Sequence, residues 1–343
     1  MSILIRLENI FGQPAAVETI RRAHQADRLP HAMIFSGPTG VGKATTAGAL
    51  GALFLCEAPG PLDACGKCTS CRAMDSASHP DFHVITKELA RLHDRSGTSK
   101  ATQLGINVIR RELNEVAGRK TTIGRGKVFV IEQAELMTSA AQNALLKTLE
   151  EPQGRTMIVL LTESLGDLLS TVRSRCQTIR FLPLDVELVR TELIKRGIDE
   201  ITAQPASEIG DGSFGTALRF IEDGVLAPAA AVADAIDATL FGGAPADIAD
   251  LLRKSAEAQT EKTLERDELA SKDSVMRDWL GVFMSIAARR LRQRLAENVN
   301  EATLERACDA IDSLARAEKY LDANVNVSLT LEQLGLSLRP LPV

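Results

Sequence analysis

At 343 residues the chain exceeds one ordinary domain, and two or three are expected. Its 45% hydrophobic and 25% charged residues describe a globular protein with ample core, and no apolar run approaches membrane-spanning length. A net charge of −5, with one Trp and one Tyr, argues against general DNA affinity and against stacking bases on aromatic rings.

The start, MSILIRLENIFGQ, lacks a basic head followed by a long apolar core, so cytoplasmic placement is expected. Disulfides are then a poor account of the six cysteines. A helix is predicted from about Ala15 to Ala26, with Val17, Ile20 and Ala23/His24 on one side. Met33 to Phe35 reads as a short buried strand. It feeds Gly37-Pro-Thr-Gly40-Val-Gly42-Lys43, a phosphate-binding loop that opens a helix. Glycines let backbone N–H groups turn toward phosphate oxygens, the helix N-terminus adds partial positive charge, and Lys43 reaches the outer phosphates. The hydroxyl that should follow to hold Mg²⁺ is replaced by Ala44, and Thr45 falls one residue late on the helix. Mg²⁺ binding is therefore not expected. Whether nucleotide is held without it stays open.

Cys56, Cys65, Cys68 and Cys71 follow with spacing C-x8-C-x2-C-x2-C. Four thiolates so close in a cytosolic chain match a tetrahedral zinc site, and with no open position the metal would be structural. Cys176 and Cys308 read as ordinary buried residues, and His79 and His83 as polar turn and surface residues. His79 to Ile85 reads as a turn feeding a strand, residues 86–104 as an exposed polar loop, and 106–117 as a helix.

The densest signal is KVFVIEQAELMTSAAQNALLKTLEEP, residues 127–152. Val128 to Ile131 is a fully buried strand in pattern, with Glu132, Gln133 and Glu135 at the rim where α/β folds bind ligands. Ser139 stands three residues before Gln142 at capping-box spacing, and Pro152 stops the helix. A hydrolysing site would place a Mg²⁺-binding Asp and a water-orienting carboxylate at this strand end. Here stand Glu132 and Gln133.

Met157 to Leu161 and Gln177 to Phe181 complete the strands, with Ser174-Arg175-Cys176 at the mouth of the last. Short strands alternating with helices predict an α/β domain with a parallel sheet. From Pro183 onward the pattern is helical: Leu188–Ile194, Gly215–Ile221, Ala229–Leu240, Ile248–Ala256, Ser274–Ala296, Glu301–Leu314 and Leu329–Leu338. The basic run Arg289, Arg290, Arg292 and Arg294 reads as a solvated helix face rather than a DNA contact.

The ordered set Phe11-Gly-Gln13, His31-Ala32, GPTGVGK, the four-cysteine insert, HPDF, KVFVIEQAE, NALLKTLEEP and SRC resembles the AAA+ clamp-loader subunits of bacterial DNA polymerase III, across essentially the whole chain. Asn324-Val-Asn326 resembles the entry to their last helix. The resemblance implies an AAA+ P-loop-type domain with a zinc module (residues 1–182, module 56–71), a helical lid (183–225) and an all-α collar (226–343) through which five subunits form a ring. It implies a ring that places the sliding clamp on primed DNA, with a delta subunit on one side of the stator subunit and a tau/gamma motor subunit on the other. The stator's SRC arginine, Arg175 here, would enter the motor's ATP site. Gly37, Gly40, Gly42 and Lys43 would be the nucleotide cradle. Ala44, Gln133 and Thr216, the last standing where motor subunits carry a sensor arginine, are departures that favour a subunit without ATP turnover. The competing readings are an ATP-hydrolysing tau/gamma-like motor subunit and a DNA-binding zinc-knuckle protein.

Overall fold

The structure is a computed structural model and describes residues 6–90, 103–123, 125–241, 247–266, 270–295 and 301–338. Two compact units emerge, Met1–Gly197 with Gly210–Thr216, and Ile198–Ile209 with Ala217–Val343.

The first unit is built on five parallel strands: β1 (Ala32–Ser36), β2 (Phe82–Ile85), β3 (Lys127–Ile131), β4 (Thr156–Thr162) and β5 (Gln177–Arg180), in the order β2-β3-β4-β1-β5. Every residue of β3 and β4 is buried, whereas the edge strands β2 and β5 are partly exposed. Alternation divides the side chains between two faces. Met33, Phe35, Val128, Val130, Met157 and Val159 pack toward the helices Pro14–Gln25 (α1) and Lys43–Leu55 (α2). Ile34, Phe129, Ile131, Ile158 and Leu160 pack on the other side, with Leu113, Leu145 and Leu149. This is the parallel α/β architecture that the alternating pattern implied, and the crossings put α2 and the β3 rim at one end of the sheet.

Several local expectations change. The helix Ser139–Glu150 is capped by Thr138, whose hydroxyl accepts from Ala141 N. Gln142 does not close a capping box. It is buried, donates to Met137 O and Asp167 O, and accepts from Leu169 N. Residues 106–117 are helical but carry a π-helical stretch at Ile109–Asn114. Cys308 is exposed and Cys176 half-buried, so neither is a core cysteine. Within the predicted loop 86–104, residues 91–102 lie outside the described ones, and Leu104 is buried and bridges to Met137.

The second unit is helical, with Glu200–Ile209, Leu226–Phe241, Ile248–Arg266, Lys272–Leu295, Glu301–Asp322 and Val327–Ser337. Trp279, Leu280, Phe283, Met284 and Leu291 lie in its core with Val232, Ile236, Leu252, Leu314 and Leu334. In the basic run Arg290, Arg292 and Arg294 are exposed, as a solvated face requires; Arg290 and Arg294 also face Asp237, and Arg289 donates to Glu208 O at 3.2 Å. Asn326 caps the last helix by accepting from Leu329 N. Among the described residues no single helix is long and apolar enough to cross a membrane.

Candidate functional site

The phosphate loop springs from the end of β1. Gly37 N donates to Thr162 O of β4, and Gly42, at φ 103°, turns the chain into α2. A left-handed φ at that point is cheap only for glycine. Lys43 is nearly buried, and its Nζ donates to Gly37 O and, at 2.6 Å, to Pro38 O. Burial lowers its pKa, and Glu163 and Glu135 oppose that shift. The Thr39 hydroxyl donates to Glu163.

Around the loop lies a cleft of about 690 Å³, lined by Asn9, Ile10, Phe11, Leu184 and Phe214 and by Glu132, Gln133, Glu135 and Glu163. Ala44 and Thr45 both line it, Thr45 one residue late on the helix. Gln133 stands exposed at φ 48°, and Glu132 is half-buried with its pKa raised by burial and then by Glu88. Glu135 Oε2 has no hydrogen-bond partner. Arg196 and Gly215 also line the cleft. Gly215 N donates to Gly40 O at 3.0 Å, and Arg196 lies over the Phe214 ring. Two cations, Lys43 and Arg196, and three carboxylates, Glu132, Glu135 and Glu163, line the cleft. It offers no hydroxyl at position 44 and no carboxylate at position 133.

The cysteines converge although they span residues 56–71. Their four sulfurs lie within 4.8 Å of one another. Contacts are 3.9 Å for Cys56–Cys68, 3.9 Å for Cys65–Cys71 and 3.7 Å for Cys56–Cys71. Zn–S bonds of about 2.3 Å around a tetrahedron put sulfurs about 3.8 Å apart, so the donor set fits zinc. The short helix Thr69–Asp75 starts at Cys68, whose sulfur accepts from Cys71 N. Backbone N–H groups of Lys67 and Cys68 lower the Cys65 thiol to about 6, toward the ligating thiolate, whereas burial raises Cys56 and Cys71. His79 is buried rather than on the surface: Nε2 meets the Ser70 hydroxyl at 2.9 Å, and Nδ1 accepts from Asp81 N. Asp81 in turn accepts from Thr122 N and Ile123 N.

Arg175 lies apart from both sites, between the turn Ser170–Arg173 and β5. Its guanidinium holds Glu150 through Nε at 2.7 Å and Nη2 at 2.5 Å, and Nη1 donates to Thr171 O.

A family model described as "DNA polymerase III, delta subunit" matches residues 12–185. The chain belongs to this family. It is 27% identical over 337 residues to the DNA polymerase III subunit delta' of Bacillus subtilis, covering 95% of this chain and 96% of that one. To subunit delta' of Escherichia coli it is 31% identical over 206 residues, 60% of this chain and 58% of the relative. To subunit tau of Bacillus subtilis it is 27% identical over 209 residues, 61% of this chain and only 34% of the relative. The family member is thus of the delta-prime kind, a clamp-loader subunit of DNA polymerase III built on a five-stranded parallel sheet domain.

Proposed function

We propose that this subunit is a stator: it takes a place in the clamp-loader ring, does not turn over ATP, and lends Arg175 to the ATP site of a neighbouring motor subunit. The carrying observation is the cleft itself, where Ala44 and Gln133 line the space that a metal-bound, water-activating centre would need. Positioning Mg²⁺ takes a hydroxyl and a carboxylate, and orienting the attacking water takes a further polar group. Gln133 has no carboxylate to take a proton, and without the hydroxyl that Ala44 lacks, Glu132 alone does not complete the Mg²⁺ ligand set. Of the loop residues Gly37, Gly40, Gly42 and Lys43, the Gly37 N–H is held by Thr162 O and the Lys43 ammonium by the loop's own carbonyls, so a nucleotide held here would have to draw Lys43 off them and would be held without the metal.

On this reading residues 1–182 form the AAA+ domain, 183–225 the lid and 226–343 the collar. The neighbours are delta and a tau/gamma motor subunit, and the assembly acts on the sliding clamp and primed DNA. Cys56, Cys65, Cys68 and Cys71 would hold a structural zinc, which shapes the module and takes no part in chemistry. Arg175 suits an outward role because it is exposed on a turn beside an edge strand and pairs only at the surface.

The test is the DNA- and clamp-stimulated ATPase of the reconstituted loader carrying Arg175→Ala or Lys43→Ala in this subunit. Arg175→Ala should slow hydrolysis with ring assembly intact, and Lys43→Ala should leave the rate unchanged. An unchanged rate with Arg175→Ala removes the finger. A slowed rate with Lys43→Ala favours the motor-like reading, to which the unpartnered Glu135 oxygen beside the loop would then contribute.

A further inference from the structure

The wall of the cleft formed by Asn9, Ile10 and Phe11 belongs to no strand of the sheet. Something must hold it against the phosphate loop, and the segment is tied at two points, Leu7–Glu8 and Gln13. At the C-terminal anchor, the buried Gln13 donates to Val41 O and to Leu182 O, and accepts from Leu182 N. The N-terminal anchor is Asp63. Its Oδ1 accepts from Leu7 N at 2.8 Å, its Oδ2 from Glu8 N at 3.3 Å, and Arg21 of α1 lies 3.8 Å from Oδ2. A second tie runs alongside, with His24 Nε2 meeting Gly60 O at 3.0 Å.

Asp63 and Gly60 both sit in the loop between Cys56 and Cys65, which has no helix or strand of its own. Around the cluster the buried apolar side chains are Ala52 and Ala64 with Cys56 and Cys71, and Cys65, Cys68 and Met74 are partly buried, too little to order a loop of this length without cross-links. We infer that the four-cysteine module is a clasp: by fixing the loop that carries Asp63, the metal positions residues 7–11 and thereby holds one wall of the cleft against the phosphate loop. The inference rests on the zinc reading for its metal half and on the contacts of Asp63 for the other half. It assigns a role to Asp63, a residue that no spacing or motif marks, as a positioning residue.

Amide hydrogen exchange of the full-length protein, read by mass spectrometry beside elemental analysis, tests both halves. Asp63→Ala should retain one zinc per chain while amides of residues 7–11 exchange at least about tenfold faster, the loss of one charge-assisted hydrogen bond. Residues 37–43 should keep their protection, and Asp63→Asn, which can still accept one N–H, should fall between. Chelating the metal from the wild type should free residues 7–11 to the same extent and also loosen residues 57–67. Unchanged protection of 7–11 in Asp63→Ala overturns the clasp. Loosening of 57–67 on chelation without release of 7–11 overturns the link to the metal, and a wild type purified without zinc overturns the zinc reading itself.

Discussion

If Arg175 serves a neighbouring site, the pair that it makes with Glu150 holds it back within its own chain. Its strength can be bounded. The two side chains are 36% and 50% exposed, and exposed pairs contribute about 0.2–1 kcal/mol. One kcal/mol is about a fivefold change in an equilibrium. Glu150→Gln should therefore raise the fraction of Arg175 free to leave by at most about fivefold, and less in high salt, which screens the pair. Losing the guanidinium is a different order of effect, since a finger contributes about 10³–10⁵ at the site it serves. The assay is stimulated ATPase of the reconstituted loader with Glu150→Gln, Arg175→Ala and the double variant, at low and high ionic strength. Glu150→Gln should stay within about fivefold of wild type, on the faster side, with the difference fading in salt. The double variant should match Arg175→Ala alone. A loss with Glu150→Gln as deep as with Arg175→Ala would refute the latch and make Glu150 part of the contact between subunits.

Two further predictions concern stability, read by denaturant melts of the full chain. Gly40→Ala should cost more than Gly42→Ala: both have positive φ, worth about 1–2 kcal/mol against a side chain, but a Cβ at Gly40 would lie 2.2 Å from Ser213 Oγ while one at Gly42 meets nothing within 4 Å. Equal costs would show that Ser213 does not pack on the loop. His83 stacks on Phe129 with its rings 5.0 Å apart, and burial lowers its pKa, with Asp81 opposing. The unfolded chain then binds the proton more readily, so the contribution of neutral His83 is complete above pH about 6.5 and is lost as pH falls through the folded value. His83→Phe should flatten the fall in stability between pH 7 and pH 5, and an unchanged slope would contradict this assignment.

Much of the sheet domain is legible in the chain because its strands are short, nearly uninterrupted apolar runs, Val128 to Ile131 and Met157 to Leu161, which only full burial explains. The phosphate loop and cysteine cluster are legible because both use local spacing. What escapes is polar pairing across long sequence separations. Gln142 looks like half of a capping box until Asp167 O and Leu169 N, 25 and 27 residues away, are seen to occupy its amide. His79 looks like a surface turn residue because its partner Ser70 sits inside the cysteine module. Asp63 carries no signal at all, since one Asp in a polar loop is indistinguishable from any other. The helix Glu200–Ile209 is obscured by Pro205 inside it.

The same distinction bears on why a phosphate loop persists where the metal handle is gone. Its glycines are required by packing as much as by any ligand. A Cβ at Gly37 would lie 2.2 Å from Phe181 O, and Gly40 and Gly215 approach so closely that a Cβ on Gly215 would be 2.9 Å from the Gly40 Cα. Lys43, nearly buried, finds acceptors in the carbonyls of Gly37 and Pro38, so its charge is hydrogen-bonded within the loop. A loop that seats β1, α2 and the segment Ser213–Gly215 would be retained by stability alone. The side chains of Ala44 and Gln133 are exposed and line the open cleft, with no close packing of the kind that holds the loop glycines, although the left-handed backbone of Gln133 restricts what can stand there. The GPTGVGK motif is therefore weak evidence for catalysis in this chain, and the residues bordering it carry more information about turnover than the motif does.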